Sequence, residues 1–138
     1  MASIVKDIVI NVPAASAWAK IRDFGKVHTL VPGLLADCQL DGDARVATFQ
    51  SGGRKARELL VSIDDDVRRL VYAEPDGPFI TRNASCQVFA VDDRRSRFVW
   101  TQDLLPDELA SLIRGNMDKA LPDLKRILES LHAESAHL

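Results

Sequence analysis

The stretch "PDELASLIRGNMDKALPDLKRILESLH", Pro106 to His132, decides how the chain is read. Apolar side chains recur at Leu109, Leu112, Ile113, Met117, Ala120, Leu121, Leu124, Ile127, Leu128 and Leu131. Steps of three and four residues place them in one stripe of an amphipathic helix about seven turns long. Pro106 opens it, and Asp107 and Glu108 stand where the positive end of the helix dipole favours acids. Pro122 lies inside it. A proline there removes one backbone hydrogen bond and crowds the turn before, which predicts a kink or break near Asp118 to Leu121. The tail "AESAHL" is expected to fray.

Ahead of this helix the period changes. "SIVKDIVINVP", from Ser3, alternates and is rich in Ile and Val, so it reads as a strand. Pro13 then opens a helix through "PAASAWAKIRDF", with Trp18, Ile21 and Phe24 on one face and Gly25 as its stop. "KVHTLVPG" reads as a short second helical turn closed by Pro32-Gly33. Six strand-like runs follow. "LADCQL" and "RVATFQ" flank an Asp41-Gly42 turn, and "ARELLVSI" and "RRLVYAE" flank Asp64 to Asp66. "FITRNASCQVFAV" and "RFVWTQDLL" flank "DDRRS". Short turns between strands predict an antiparallel meander. The class is therefore α+β, with about seven strands, two short helices after the first strand, and a long helix at the end. A single sheet with an apolar face needs a cover, and only the last helix is large enough. A curved sheet and one helix do not meet everywhere, so a mostly apolar hollow with a few placed polar groups is expected between them.

The 138 residues fit one domain, 1–138, and no repeat or linker interrupts them. The chain is 46% apolar and 28% charged, ordinary for a globular domain with a real core. A formal net charge of -2 supplies no basic footprint for nucleic acid. No apolar run approaches a membrane span, and the N-terminus lacks the pattern of a signal peptide. Cys38 and Cys86 are far apart and form no C-x-x-C, so a reducing cytoplasm is the natural setting.

Taken together, "VPAASAWAKIRDFG", "VPG", "CQLDGDARVATF", "RELLVSIDDDVRRLVY", "VWTQDLLP" and the closing helix resemble a known fold over nearly the whole chain. It is the helix-grip fold of the START-like, pollen-allergen-like superfamily, in particular its polyketide cyclase/dehydrase (SRPBCC) branch. The resemblance implies a strongly curved sheet wrapped around the C-terminal helix. It also implies that Glu58 points into the cavity and that Ser51, Gly52 and Gly53 form a mobile loop at its mouth. Alternation along "RELLVSI" reads otherwise. Arg57, Leu59, Val61 and Ile63 share the more apolar face, which would turn Glu58, Leu60 and Ser62 outward.

The expected ligand contacts are Glu58, His28, Trp100, Tyr72, Phe49, Met117, Leu121 and Ser85. Each has a plainer reading. Glu58 can be a solvated strand residue paired with Arg57 or Lys55, or a general base if desolvated. His28, near the expected entrance, can act as acid or base or simply pack. Trp100 and Tyr72 can be core residues whose polar tips find partners. Ser85 lies in a polar row with Asn83 and Gln87, opposite Arg82, Ala84, Cys86 and Val88, and that row either faces water or dots the cavity wall. Met117 and Leu121 face the cavity or the ordinary core. Asp103 alternates away from Trp100 and Gln102, as a surface or capping acid would, and His132 and His137 look exposed. No nucleophile motif, phosphate loop or dinucleotide fingerprint occurs, and no histidine cluster suggests a metal or other cofactor.

Two functions remain open at this level. One is a module that holds a small hydrophobic or aromatic molecule in the cavity. The other is a metal-free cyclase, aromatase or dehydratase acting on a polyketide-like substrate, for which Glu58, His28, Asp103 and Tyr72 are possible acid–base groups without a spacing that ties them together. A weaker third is a curved surface lent to a protein partner or a homodimer.

Overall fold

The computed structural model describes residues 1–136. Strand β1 (Ala2–Ile10) is followed by helix α1 (Ala14–Ile21), a 3-10 turn at Phe24–Lys26 and helix α2 (Val27–Leu30). Strands β2 (Leu35–Asp41), β3 (Ala44–Phe49), β4 (Lys55–Asp64), β5 (Arg69–Ala73), β6 (Thr81–Ala90) and β7 (Ser96–Leu105) come next. A second 3-10 turn at Asp107–Leu109 leads into helix α3 (Ala110–Ala136). His137, expected to be exposed, and the last residue of the fraying tail lie outside the described residues.

All strand contacts are antiparallel in one seven-stranded sheet of order β1-β7-β6-β5-β4-β3-β2. The meander from β2 to β7 is the one that the turn residues predicted. At the first hairpin Asp41 pairs with Ala44, so the loop is Gly42-Asp43, and Gly42 takes the positive φ of 59° that the loop demands. β1 closes the sheet by pairing with the last strand, from Ala2 opposite Leu104 to Ile10 opposite Ser96.

α3 lays Ile113, Met117, Ala120, Leu121, Leu124 and Leu128 against the sheet, as its stripe predicted, while Leu112 is exposed. The expected break is absent, since α3 runs through Pro122. Pro122 sits on the exposed side, where water can meet the carbonyl it leaves unbonded. The helix is pinned to the rest of the fold by polar contacts. The Gly33 amide donates to Asp123 Oδ2 at 2.8 Å, Asn11 to Glu129 Oε2 at 2.8 Å, and Lys125 Nζ to the Val9 carbonyl at 2.9 Å. A Cβ on Gly33 would stand 2.8 Å from the same Asp123 oxygen, so a larger residue there would have to push the Asp123 carboxylate aside. His132 is half-buried rather than exposed.

α1 buries Ala14, Ala17 and Trp18, and the Trp18 indole donates to Asp65 Oδ1 at 2.8 Å. It ends at Ile21, four residues before Gly25, which lies inside the following 3-10 turn under Leu40. Two apolar clusters result. The larger joins α1, α2, α3 and the sheet, and the smaller packs Ile4, Phe79, Leu104, Ile113 and Met117 at the other end of α3.

Candidate functional site

Five strands send alternate side chains toward α3: Arg45 and Phe49 from β3, Glu58 from β4, Tyr72 from β5, Arg82 and Cys86 from β6, and Trp100 and Gln102 from β7. The disputed face of β4 is settled by a bulge. Leu60 pairs with Tyr72 but Ser62 pairs with Val71, so Val61 has no partner and the alternation changes phase there. Before the bulge Ala56 and Glu58 are buried, and beyond it Ile63 packs on the core opposite Leu70. Arg57 and Val61, which simple alternation would turn inward, are exposed.

Glu58 is 6% exposed, and its partners are neither Arg57 nor Lys55. Arg45 Nε donates to its Oε1 at 2.8 Å, and Arg82 Nη2 donates to its Oε2. Arg45 is the residue directly opposite Glu58 on β3. Arg82 also donates through Nε to Glu74 Oε1 at 2.9 Å and through Nη1 to Gln102 Oε1 at 2.7 Å. Glu74, 1% exposed in its side chain, accepts a further bond on Oε2 from Arg54 Nη1 at 2.9 Å. Charges of alternating sign thus run Arg45, Glu58, Arg82, Glu74, Arg54, from the inner face of the sheet to the loop before β4. Aromatic rings cover the cations: Phe24 lies 4.1 Å and Tyr72 4.7 Å from the Arg45 guanidinium carbon, and Phe79 lies 5.4 Å from that of Arg82.

This arrangement sets the ionisation of the site. Burial pushes the Glu58 carboxyl up, but the Arg45 and Arg82 guanidiniums together outweigh it and hold the group below its ordinary range. Burial opposes the charge on Arg45 and Arg82, and Glu58 more than restores it, so both are raised. Burial pushes the Tyr72 hydroxyl up, with the Glu58 charge adding to it. The Cys86 thiol is pushed up to about 12, chiefly by burial.

Above the charges lies a cavity of about 90 Å³ between the sheet, α2 and α3. Its wall is mostly apolar, formed by residues such as Leu30, Leu35, Leu70, Phe98, Leu121 and Leu124. Cys86 and Trp100, cross-strand partners on β6 and β7, also face it and keep partial exposure. The Trp100 indole donates to the Tyr72 hydroxyl at 3.2 Å. Arg54 borders the cavity from the loop between β3 and β4, where Gly52 and Gly53 both have positive φ.

Five of the eight expected contacts therefore meet at this wall: Glu58, Trp100, Tyr72, Phe49 and Leu121. Three are corrected. His28 is off the wall because Val27, Leu30 and Val31 take the inward face of α2, about a third of a turn away. Met117 is fully buried in the smaller cluster, where α3 meets Ile4 and Leu104, and does not line the cavity. Ser85 faces away, since Ala84 and Cys86 on either side of it point inward. Asp103 also lies on the outer face, accepting from the Ser3 hydroxyl. Sequence reasoning missed Arg45, Arg54, Arg82 and Glu74 as parts of the site. The available signal was Arg82 in phase with Ala84, Cys86 and Val88.

The family model for polyketide cyclase / dehydrase and lipid transport matches residues 1–129. The chain belongs to this family. Among solved structures, a Thermobifida fusca protein is 30% identical, with 95% of each chain covered and a TM-score of 0.79. A START superfamily protein from Mycobacterium smegmatis is 11% identical, with 93% of this chain and 94% of that chain covered and a TM-score of 0.71. The di-domain ARO/CYC BexL of the BE-7585A biosynthetic pathway is 15% identical, with 94% of this chain but 47% of that chain covered, at a TM-score of 0.78. The last two similarities support the helix-grip fold alone. No curated protein sequence matches the chain.

Proposed function

We propose that this member of the family is a binding module for a small, mostly apolar molecule about the size of one substituted aromatic ring. The observation that carries the reading is a hollow with an apolar wall on which the buried groups Arg45, Glu58, Tyr72, Arg82 and Cys86 are all shifted away from neutral. Glu58 is a weak base because two guanidiniums hold its charge, and both its oxygens already accept hydrogen bonds. Tyr72 and Cys86 stay protonated at neutral pH. A general acid or base works best with a pKa near the operating pH, and none of these groups has one. His28, the candidate acid–base histidine, is off the wall.

Size supports the same reading. At 10–15 Å³ per water-sized position, 90 Å³ corresponds to roughly six to nine such positions. That suits one ring with a substituent and is small for a chain of fused rings, so the cyclase reading is the weaker of the two. Trp100, Leu121, Tyr72 and Phe49 would supply apolar contact, and Glu58 would orient the guest only through the arginines it holds.

The test is an NMR titration of ¹⁵N-labelled protein with toluene and with anthracene. Saturable shifts at Ala47, Cys86, Trp100 and Ala120 with toluene, absent with anthracene and abolished in Cys86→Phe, are expected. No saturable shift at these amides with toluene would defeat the proposal. A well-folded Cys86→Phe protein that binds as the wild type does would defeat it too.

A further inference from the structure

We infer that the molecule held in this cavity is an anion, a single-ring carboxylic acid whose carboxylate seats on Arg54. The inference rests on the binding function proposed above and adds the charge of the guest. The charged network beside the cavity carries three guanidiniums, Arg45 and Arg82 from the sheet and Arg54 from the loop before β4, against two carboxylates, Glu58 from the sheet and Glu74 just past β5. Three positive charges against two negative leave the wall one anion short.

The shortage falls at the mouth. Arg45 and Arg82 are buried and are held by Glu58, Glu74, Gln102 and the Phe24 carbonyl. Arg54 is 35% exposed in its side chain and shares its one carboxylate partner with Arg82. It spends only Nη1 on Glu74. Among the described residues no hydrogen bond uses its Nε–Nη2 edge. That edge is the planar fork that takes a carboxylate in bidentate fashion. Its guanidinium carbon lies 4.9 Å from the centre of the Phe49 ring, which keeps the plane of the group beside the cavity.

Glu74 does not suffer if Arg54 tightens on a guest, because Oε1 keeps its bond from Arg82. The local backbone is built for this contact. Gly77, at φ 106°, comes so close that an added Cβ would stand 2.6 Å from Glu74 Oε2 and 3.6 Å from Arg54 Nη1. Gly52 and Gly53 give the loop that carries Arg54 the room to adjust. The apolar half of the cavity takes the ring and the mouth takes the charge, so a guest with one end of each kind satisfies both.

Calorimetric titration at neutral pH tests this with phenylacetate against phenylacetamide, which has the same shape without the charge. The wild type should bind the acid at least tenfold more tightly than the amide. Arg54→Met should lose at least tenfold for the acid and change the amide by less than twofold, and Arg54→Lys should recover part of the loss. Equal affinities for acid and amide in the wild type, or an Arg54→Met protein with unaltered acid binding, would overturn the inference while leaving the binding function in place. Failure of both probes to bind the wild type would overturn both. Should Arg54→Met not fold, the wild-type comparison and Arg54→Lys still decide.

Discussion

Replacing Glu58 by Gln keeps the shape of the side chain and removes its charge, which isolates the role of the buried network. Two charge-assisted hydrogen bonds end on this carboxylate, one from Arg45 and one from Arg82. Bonds of that type contribute about 1.5–3 kcal/mol each. After the change the amide oxygen can accept from only one arginine and its NH2 faces the other, which is left with the Phe24 carbonyl if it is Arg45, or with Glu74 and Gln102 if it is Arg82. Breaking one side of a buried ion pair costs about 3–5 kcal/mol, which overlaps the roughly 3–6 kcal/mol of the two bonds together. For a domain of this size that is a drop of roughly 10–20 °C in Tm. Arg57→Gln on the same strand is the control, because its pair with Asp41 is exposed and stretched to 3.4 Å, worth about 0–1 kcal/mol. The assay is urea unfolding of the three proteins at several pH values. The folded pKa of Glu58 lies below its unfolded value of about 4.3, so its stabilisation is fully present above that pH. It is lost as pH falls through the folded value. The gap between wild type and Glu58→Gln should therefore be constant near neutral pH and should close on acidification. A gap below 1 kcal/mol at neutral pH, or one that widens in acid, would refute the reasoning.

Pro122→Ala should stabilise the protein by about 1–3 kcal/mol, because it restores an amide in the interior of α3 at an exposed position; lower stability in urea unfolding would show that the helix needs its proline. Gly77→Ala should cost at least about 1 kcal/mol, since φ of 106° excludes a side chain and the new carbon would press on Glu74; an unchanged midpoint would contradict the loop geometry. Burial holds the thiol of Cys38 above its ordinary pKa, so it should react with a disulfide reagent at mildly alkaline pH only as fast as the protein opens. Rapid labelling of Cys38 in the native state would refute that assignment.

Much of this fold was legible because its period changes are plain. The stripe from Leu109 to Leu131 marked the covering helix, and Asp41-Gly42 and "DDRRS" marked two of the hairpins. The inner face of β4 was not legible. A bulge at Val61 reverses the alternation, and one unpaired residue has no signature in a strand read alone. Arg45 and Glu58 meet across β3 and β4, and Arg82 reaches Glu58 from β6, so the network exists only once the register is known. His28 was a guess from position, and the helical turn of α2 sent it off the wall. Ser85 was misplaced although its neighbours Ala84 and Cys86 had already marked the opposite face as inner.

The central claim is a hollow able to hold a guest between the sheet and α3, and a crystal pressurised with xenon tests it most directly, since dry apolar cavities take up that gas. The account predicts a strong xenon peak bounded by Leu70, Cys86, Trp100 and Leu121. Side chains closed over that space, with no xenon among them, would contradict it.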